Sequence, residues 1–358
     1  MTAPLAKIEA VMQRPTLDKF PHSVLVQIDI QTAFIVSRLI VAAERLQVFR
    51  TLQGLPMTAD AIGKTLHIHR YYLRPFLTVL VSLGLLRRTN DRYANTAFAE
   101  KYFVRERSIY WTRQFSAECV ELYEALCVLE RALSSGKRYE AIAGRKRRPY
   151  TEEMKRNERQ AEDFTQMLFQ LHQGDAAALA SYLDLSRYRA VLDVCGGSGV
   201  MSIALAKRNP HLRACILDIA PVCKIAAGNV KRVRLSRRIA TAEGDARQPF
   251  PAGYDVLLFC DIGPVTAQHL RNAYRSLPPG GLVVLVDRYF TDDGTKPLDR
   301  LAFFFTHAGF GLTTRRELVE LVKSCGFEKV RSKSVFEDVW FITGTKPTAA
   351  PAERLASG

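Results

Sequence analysis

From Arg189 onward, short apolar runs alternate with amphipathic helical stretches, and this alternation limits the folds open to the chain. The runs are AVLDV (190–194), ACILDI (214–219), IATAEG (239–244), YDVLLFC (254–260) and LVVLVD (282–287), followed by EKVRSKSV (328–335) and VWFITGT (339–345). Helical patterns fill 199–209, 221–230, 265–277 and 313–325. A strand with no polar alternation is buried on both faces, and helices between such strands supply the two covering layers. The prediction is an α/β domain with a doubly wound, mostly parallel sheet.

The chain before Arg189 reads differently. Residues 1–20 look like a loose arm. Residues 24–49 are apolar almost all round, as in a helix buried in a core or against a second subunit. MTADAIGKTL (57–66) has Thr58 as a helix cap, and a further helix spans 69–86. RRTNDRYANTAF (87–98) then places an Asn-Asp turn between two extended stretches. Helix, turn, helix and hairpin make a winged-helix pattern. Its second helix is expected to present Tyr71, Tyr72, Leu73 and Phe76, with few cations, so DNA reading is not expected. Residues 108–135 and 151–184 are helical, separated by a basic loop at 136–150. The tail 348–358 is expected to be disordered.

Composition excludes several classes. At 47% hydrophobic and 24% charged residues the chain is an ordinary folded protein. Its net charge of +15 is uneven. Residues 137–160 hold nine Lys/Arg against four Asp/Glu, and 231–238 (KRVRLSRR) hold five with no acid. These two segments carry two thirds of the excess and favour either a solvated basic face or an anionic partner. The apolar stretch 24–43 contains Gln27, Asp29, Gln31 and Arg38, so no membrane span is expected. Seven scattered cysteines lack zinc spacing and suit a reducing cytoplasm, and no metal is expected.

The chemistry begins at VLDVCGGSG (191–199). An acid near a strand end, a small-residue turn and a helix make a nucleotide crevice. Asp218 ends the second strand, 19 residues past Gly199, where a carboxylate accepts hydrogen bonds from ribose hydroxyls. Gly244 and Asp245 end the third strand in a loop able to cradle an adenine. PPGG (278–281) breaks the helix before the fifth strand.

The ordered set VLDVCGGSG, ILDIAPV, EGDA, LPPGG, LVVLVD and SCGF (324–327) resembles S-adenosylmethionine-dependent methyltransferases of the plant-and-bacterial small-molecule O-methyltransferase type. The resemblance covers roughly 25–346, and FTQMLFQLHQG (164–174) is similar to the linker helix of that family. It implies an N-terminal winged-helix dimerisation domain (1–107), linker helices forming part of the acceptor pocket (108–185) and a Rossmann-like methyltransferase domain (186–347). It also implies S-adenosyl-L-methionine as cofactor, a small-molecule acceptor and a homodimer. Nucleic acid is not an expected partner.

Position by position, the resemblance assigns Asp193, Cys195 and Gly197 to the methionine end of the cofactor, with Gly199 opening the next helix. Asp218, with Ile219 beside it, would hold the ribose. Gly244, Asp245 and Ala246 would bracket the adenine, and Cys260 would lie close to the sulfonium.

Two departures matter. Cys195 stands where the family has its first motif glycine, so the turn must tolerate a side chain there. The family's His-Asp-Trp base motif is missing: FCDIGPVTAQHLRN (259–272) puts Cys260 or Asp261 in its place, and His269 lies too far along the next helix. A phenol needs a base within reach, whereas a sulfur, carbon or pre-ionised nucleophile needs less help. The expectation is therefore direct SN2 methyl transfer to a small, anionic acceptor that does not need a histidine base. Alternatives are O-methylation of a hydroxylated natural product or pigment with Asp261 or a pocket histidine as base, and a cofactor-binding regulator with nucleic-acid affinity. Bacterial relatives acting on chlorophyll-type pigments and hydroxylated carotenoids have a similarly degenerate motif. His172 on the linker helix and His307 in FFFTHAGFGL (303–312) are further catalytic candidates.

Overall fold

The structure is a computed structural model that describes residues 24–105, 112, 123–144, 150–296, 312–334 and 339–348. The expectations for the arm 1–20, for Arg145–Arg148 in the basic loop, for the 303–310 segment with His307 and for the tail beyond Thr348 lie outside the described residues. The chain divides into two compact units, Met1–Tyr123 and Glu124–Gly358.

In the first unit, α1 (Val24–Arg45) is followed by β1 (Met57–Thr58), α2 (Ala59–Leu66), α3 (Arg70–Ser82), β2 (Leu86–Thr89) and β3 (Arg92–Asn95). Thr58 caps α2 by accepting from the Ala61 amide at 3.3 Å, and His67, in the left-handed region, ends it. The β2–β3 hairpin closes with Thr89 opposite Arg92, and β1 adds to β3, giving the strand order β1-β3-β2. Ile62, Leu77, Leu80, Phe49 and Phe103 form the core. Leu73 and Phe76 belong to that core and are not presented, because the helical spacing that joins them to Leu77 and Leu80 turns them inward. Only Tyr71 and Tyr72 of the expected quartet are exposed. On α1, Ile40, Val41 and Ala43 are buried, but Phe34 and Ile35 stay 56% and 43% exposed.

The second unit carries α4 (Glu158–Leu171), α5 (Gln173–Tyr182), β4 (Ala190–Val194), α6 (Val200–Arg208), β5 (Arg213–Asp218) and α7 (Ala220–Arg232). It continues with β6 (Ile239–Glu243), β7 (Val256–Cys260), α8 (Ala267–Ser276), β8 (Leu282–Arg288), α9 (Arg315–Ser324), β9 (Glu328–Ser334) and β10 (Val339–Thr345). The seven strands lie in the order β6-β5-β4-β7-β8-β10-β9. Strands β4 to β8 pair in parallel, and β10 runs antiparallel between β8 and β9. Alternate residues leave each strand on opposite faces. Val191, Ile216, Leu258 and Val284 pack beneath α5, α6 and α7. Leu192, Leu217, Leu257 and Leu285 pack beneath α8 and α9. The sheet is thus covered on both sides, as the apolar runs require.

The basic run 231–238 is partly structural. Arg238 donates to the carbonyls of Ala206, Asn209 and Pro210 at the end of α6, at 2.6, 3.1 and 3.1 Å. Arg232 donates to Asn229 Oδ1 at 3.0 Å. Cations at helix C-termini complement exposed carbonyls and the helix dipole.

Candidate active site

The strand order reverses between β4 and β7. After β4 the chain adds β5 and β6 on one side, then returns to place β7 on the other. A crevice opens at the carboxyl ends of strands at such a point.

The turn after β4 is tight, with positive φ at Cys195 (52°), Gly197 (53°) and Gly199 (76°). Gly199 starts α6 against the sheet, where an added Cβ would meet Ile216 Cδ1 at 2.6 Å. Gly197 is open: a Cβ there would meet nothing closer than 3.9 Å, leaving the backbone free for a ligand to approach. Cys195 holds a left-handed conformation that favours glycine, a strain of about 1–3 kcal/mol. Burial, with the charges of Asp218, Asp193 and Asp245, pushes its thiol up to about 12, so it stays neutral.

Two carboxylates support this turn. Asp193 is fully buried, and its Oδ2 accepts from Ser202 Oγ at 2.7 Å while Oδ1 has no partner among the described residues. Burial outweighs the Ser202 hydrogen bonds and pushes this acid up to about 7. Asp218, at the end of β5, accepts from the Gly197 amide at 2.9 Å and the Ile219 amide at 2.7 Å. Burial raises it too, against those two bonds. The turn is also tied to its neighbours. Asn229 of α7 donates to the Ser198 carbonyl at 3.0 Å and accepts from Gln166 of α4 at 2.9 Å.

Beyond β6, the Gly244 amide donates to the Asp218 carbonyl at 3.0 Å. Asp245 Oδ1 accepts from the amide and Nε of Arg247, both at 2.9 Å, and those bonds hold the acid down at about 2. Ala246 packs at the edge of the core beneath α8. These residues suit an adenosyl ligand. The open backbone at Gly197, the strand-end acid Asp218 and the Asp193 oxygen without a partner among the described residues suit a ligand bearing hydroxyls and N–H donors.

At the end of β7, burial drives the Cys260 thiol well above its ordinary range, helped by the charges of Asp261, Asp193, Asp287 and Asp175. Asp261 has φ of 48°, and its amide donates to Val286 O at 3.0 Å. Its Oδ2 meets Nε2 of His172 at 3.2 Å. His172 sits at the junction of α4 and α5, and its Nδ1 meets Asp175 Oδ2 at 2.9 Å. Burial disfavours a charged imidazole, but hydrogen bonds to Asp175 and Asp261, with their charges, raise it to about 9. Two of the three catalytic candidates, Asp261 and His172, are therefore in contact. His269 completes the capping box of α8 opposite the N-cap Thr266, its Nδ1 accepting from the Thr266 amide at 3.3 Å.

Three residues escaped the sequence reading. Asp175 is visible only as an acid three residues past His172. Asp287 ends the run LVVLVD, as Asp218 ends its own strand, and is buried. Tyr150 opens the helix Tyr150–Arg156; its ring lies 5.6 Å from Phe164, and burial plus the charges of Asp218 and Cys195 raise its hydroxyl. No local signal in the sequence marks Tyr150.

Comparison with known proteins fits this geometry. Residues 127–328 match the O-methyltransferase domain, and residues 28–105 match the O-methyltransferase dimerisation domain. The chain belongs to the O-methyltransferase family. It is a methyltransferase that uses S-adenosylmethionine and a small-molecule acceptor. One relative is the 3-hydroxy-5-methyl-1-naphthoate 3-O-methyltransferase of Streptomyces sahachiroi, 28% identical over 279 residues, 76% of this chain and 79% of that protein. Another is the tetracenomycin polyketide synthesis 8-O-methyl transferase of Streptomyces glaucescens, 27% identical over 326 residues, 88% of this chain and 94% of that protein. The solved structure of PigF with SAH superposes with a TM-score of 0.78 at 21% identity, covering 91% of this chain and all of that one. Among the described residues no helix is long and apolar enough to cross a membrane.

Proposed function

We propose that the enzyme methylates a hydroxyl oxygen on a small aromatic acceptor, working as a homodimer. The observation that carries this reading is the His172–Asp261 contact at the end of β7, beside Cys260. A charged, hydrogen-bonding group at that place suits an oxygen nucleophile better than an aromatic carbon. The two Streptomyces relatives, both named as oxygen methyltransferases, support the same choice.

In this reading Asp218 takes the ribose hydroxyls, with Ile219 beside it. Gly197, Cys195 and the buried Asp193 line the methionine end, and Gly199 sets the helix behind them. Gly244, Asp245 and Ala246 bracket the adenine, with Arg247 giving up part of its grip on Asp245. Cys260 forms a neutral floor near the sulfonium. When bound, S-adenosylmethionine supplies an electrophilic methyl group. The protein aligns the acceptor oxygen with it and keeps water out, and alignment alone supplies much of the rate.

The dimer reading rests on the matched dimerisation domain and the exposed Phe34 and Ile35. The six free cysteines among the described residues support a reducing cytoplasm. The test is mass spectrometry with methyl-labelled cofactor and a panel of hydroxynaphthoates, thiols, amines and carbon nucleophiles. Label on oxygen is expected. Label confined to sulfur, nitrogen or carbon would overturn the reading.

A further inference from the structure

We infer that the His172 imidazolium, steadied by Asp175, is an anion site for the acceptor oxygen, and that Asp261 fills it only until an acceptor oxyanion takes its place. This rests on the O-methylation reading and narrows it to hydroxyls that reach the enzyme ionised, such as phenols or enols conjugated to a carbonyl.

The two carboxylates on His172 are not equivalent. Asp175 is three residues away on the first turn of α5, at 2.9 Å, and its side chain is 20% exposed. Asp261 comes from the far side, from the loop after β7, at 3.2 Å, and its side chain is 35% exposed. The shorter, better-covered contact shares a helix with the imidazole and moves with it. The longer one is exchangeable. Its backbone is pinned by the hydrogen bond that its amide donates to Val286 O, so exchange needs only rotation of the side chain.

The charge state points the same way. With its proton held up to about pH 9, His172 is a cation at neutral pH and both ring nitrogens donate. Such a group cannot take a proton from an acceptor, but it can hold an anion. The charged groups facing it are Asp175 from α5 and Asp261 from the β7 loop. Cys260, at the end of β7, is kept neutral by burial. Nε2–H is therefore a donor already directed at an anion, and that anion is the protein's own.

The chemistry balances without a protein base. The acceptor leaves its proton in water before binding. A lone pair of its oxyanion forms the new O–C bond, the S–C bond breaks, and that electron pair stays on sulfur. One anion and one sulfonium become two neutral products. A neutral ether no longer competes for the imidazolium, so Asp261 returns and displaces it.

The test has two arms. In the first, the carbon-13 histidine resonance of His172 is titrated by NMR in the cofactor-free enzyme. It should titrate near pH 9, and lower in both Asp175→Asn and Asp261→Asn. Titration near the ordinary histidine value of about 6.5 would overturn the site with no acceptor needed. In the second, kcat/KM is followed against pH for any hydroxyl acceptor that the enzyme turns over. It should rise through that acceptor's own pKa and fall as His172 deprotonates near 9, and Asp175→Asn should move the falling limb down. His172→Gln should lower kcat/KM at least tenfold with calorimetric binding of S-adenosylhomocysteine within threefold, and Asp261→Asn should lower the acceptor KM. A rate that climbs through pH 9, or a hundredfold loss in Asp261→Asn as for a general base, would refute the anion site. Failure of the native enzyme to methylate any hydroxyl acceptor would instead refute the O-methylation reading and leave the NMR result to judge His172.

Discussion

Replacing Asp218 with alanine tests the proposed ribose contact. The carboxylate accepts two backbone amides, Gly197 at 2.9 Å and Ile219 at 2.7 Å, and each oxygen retains a lone pair for a ribose hydroxyl. A hydrogen bond to a charged group contributes about 1.5–3 kcal/mol. Loss of one ribose bond should therefore raise the dissociation constant about 10- to 150-fold, since 1.4 kcal/mol is tenfold. The Gly197 and Ile219 amides lose their acceptor, so the variant should stay folded with a loss of about 1–3 kcal/mol in stability. The assay is calorimetric titration of Asp218→Ala with S-adenosylhomocysteine, beside thermal unfolding of both proteins. The KM for S-adenosylmethionine should rise by a similar factor, with kcat at saturation changed far less. A folded variant whose affinity lies within twofold of the native enzyme would refute the ribose assignment.

Three further outcomes follow from single residues. Asp193 has its folded-state pKa raised from the carboxylate range to about 7, so the folded protein binds its proton more tightly. Stability of the cofactor-free enzyme should fall as pH rises from about 4 to 7, by up to about 4 kcal/mol, and Asp193→Asn should flatten that slope in urea titrations. Cys195→Gly should leave unfolding within about 1 kcal/mol of native or raise it, because relief of the positive φ offsets the added freedom of the unfolded chain. A Tm drop of several degrees would show that the thiol's packing outweighs the strain. Light scattering should report a dimer at micromolar concentration and a shift towards monomer in Phe34→Asp, which places a charge on an exposed apolar position of α1. A monomeric native enzyme would refute the dimer.

The amino-acid sequence alone determined the layered architecture. Runs such as VLLFC and LVVLVD announce strands buried on both faces, because burial and periodicity are local properties that survive without knowing the neighbours. The same locality made the crevice legible. Asp193, Gly197, Gly199, Asp218 and Gly244 sit at strand ends and turns, and the chain's parallel connections bring those ends to one edge of the sheet.

What depended on tertiary structure was which side chains meet. His172 and Asp261 are 89 residues apart, and nothing in FQLHQG or FCDIGP announces the other. Their contact exists because tertiary packing brings the α4–α5 junction at His172 against the loop that follows β7. The effect of the Asp218 charge on Tyr150, 68 positions away in the chain, arises in the same way. Periodicity tells how often a side chain returns to a face, but only packing decides what that face touches. The charge on His172 is the clearest case: two carboxylates from different elements keep the proton there, and neither would do so in an unfolded chain, where water screens both.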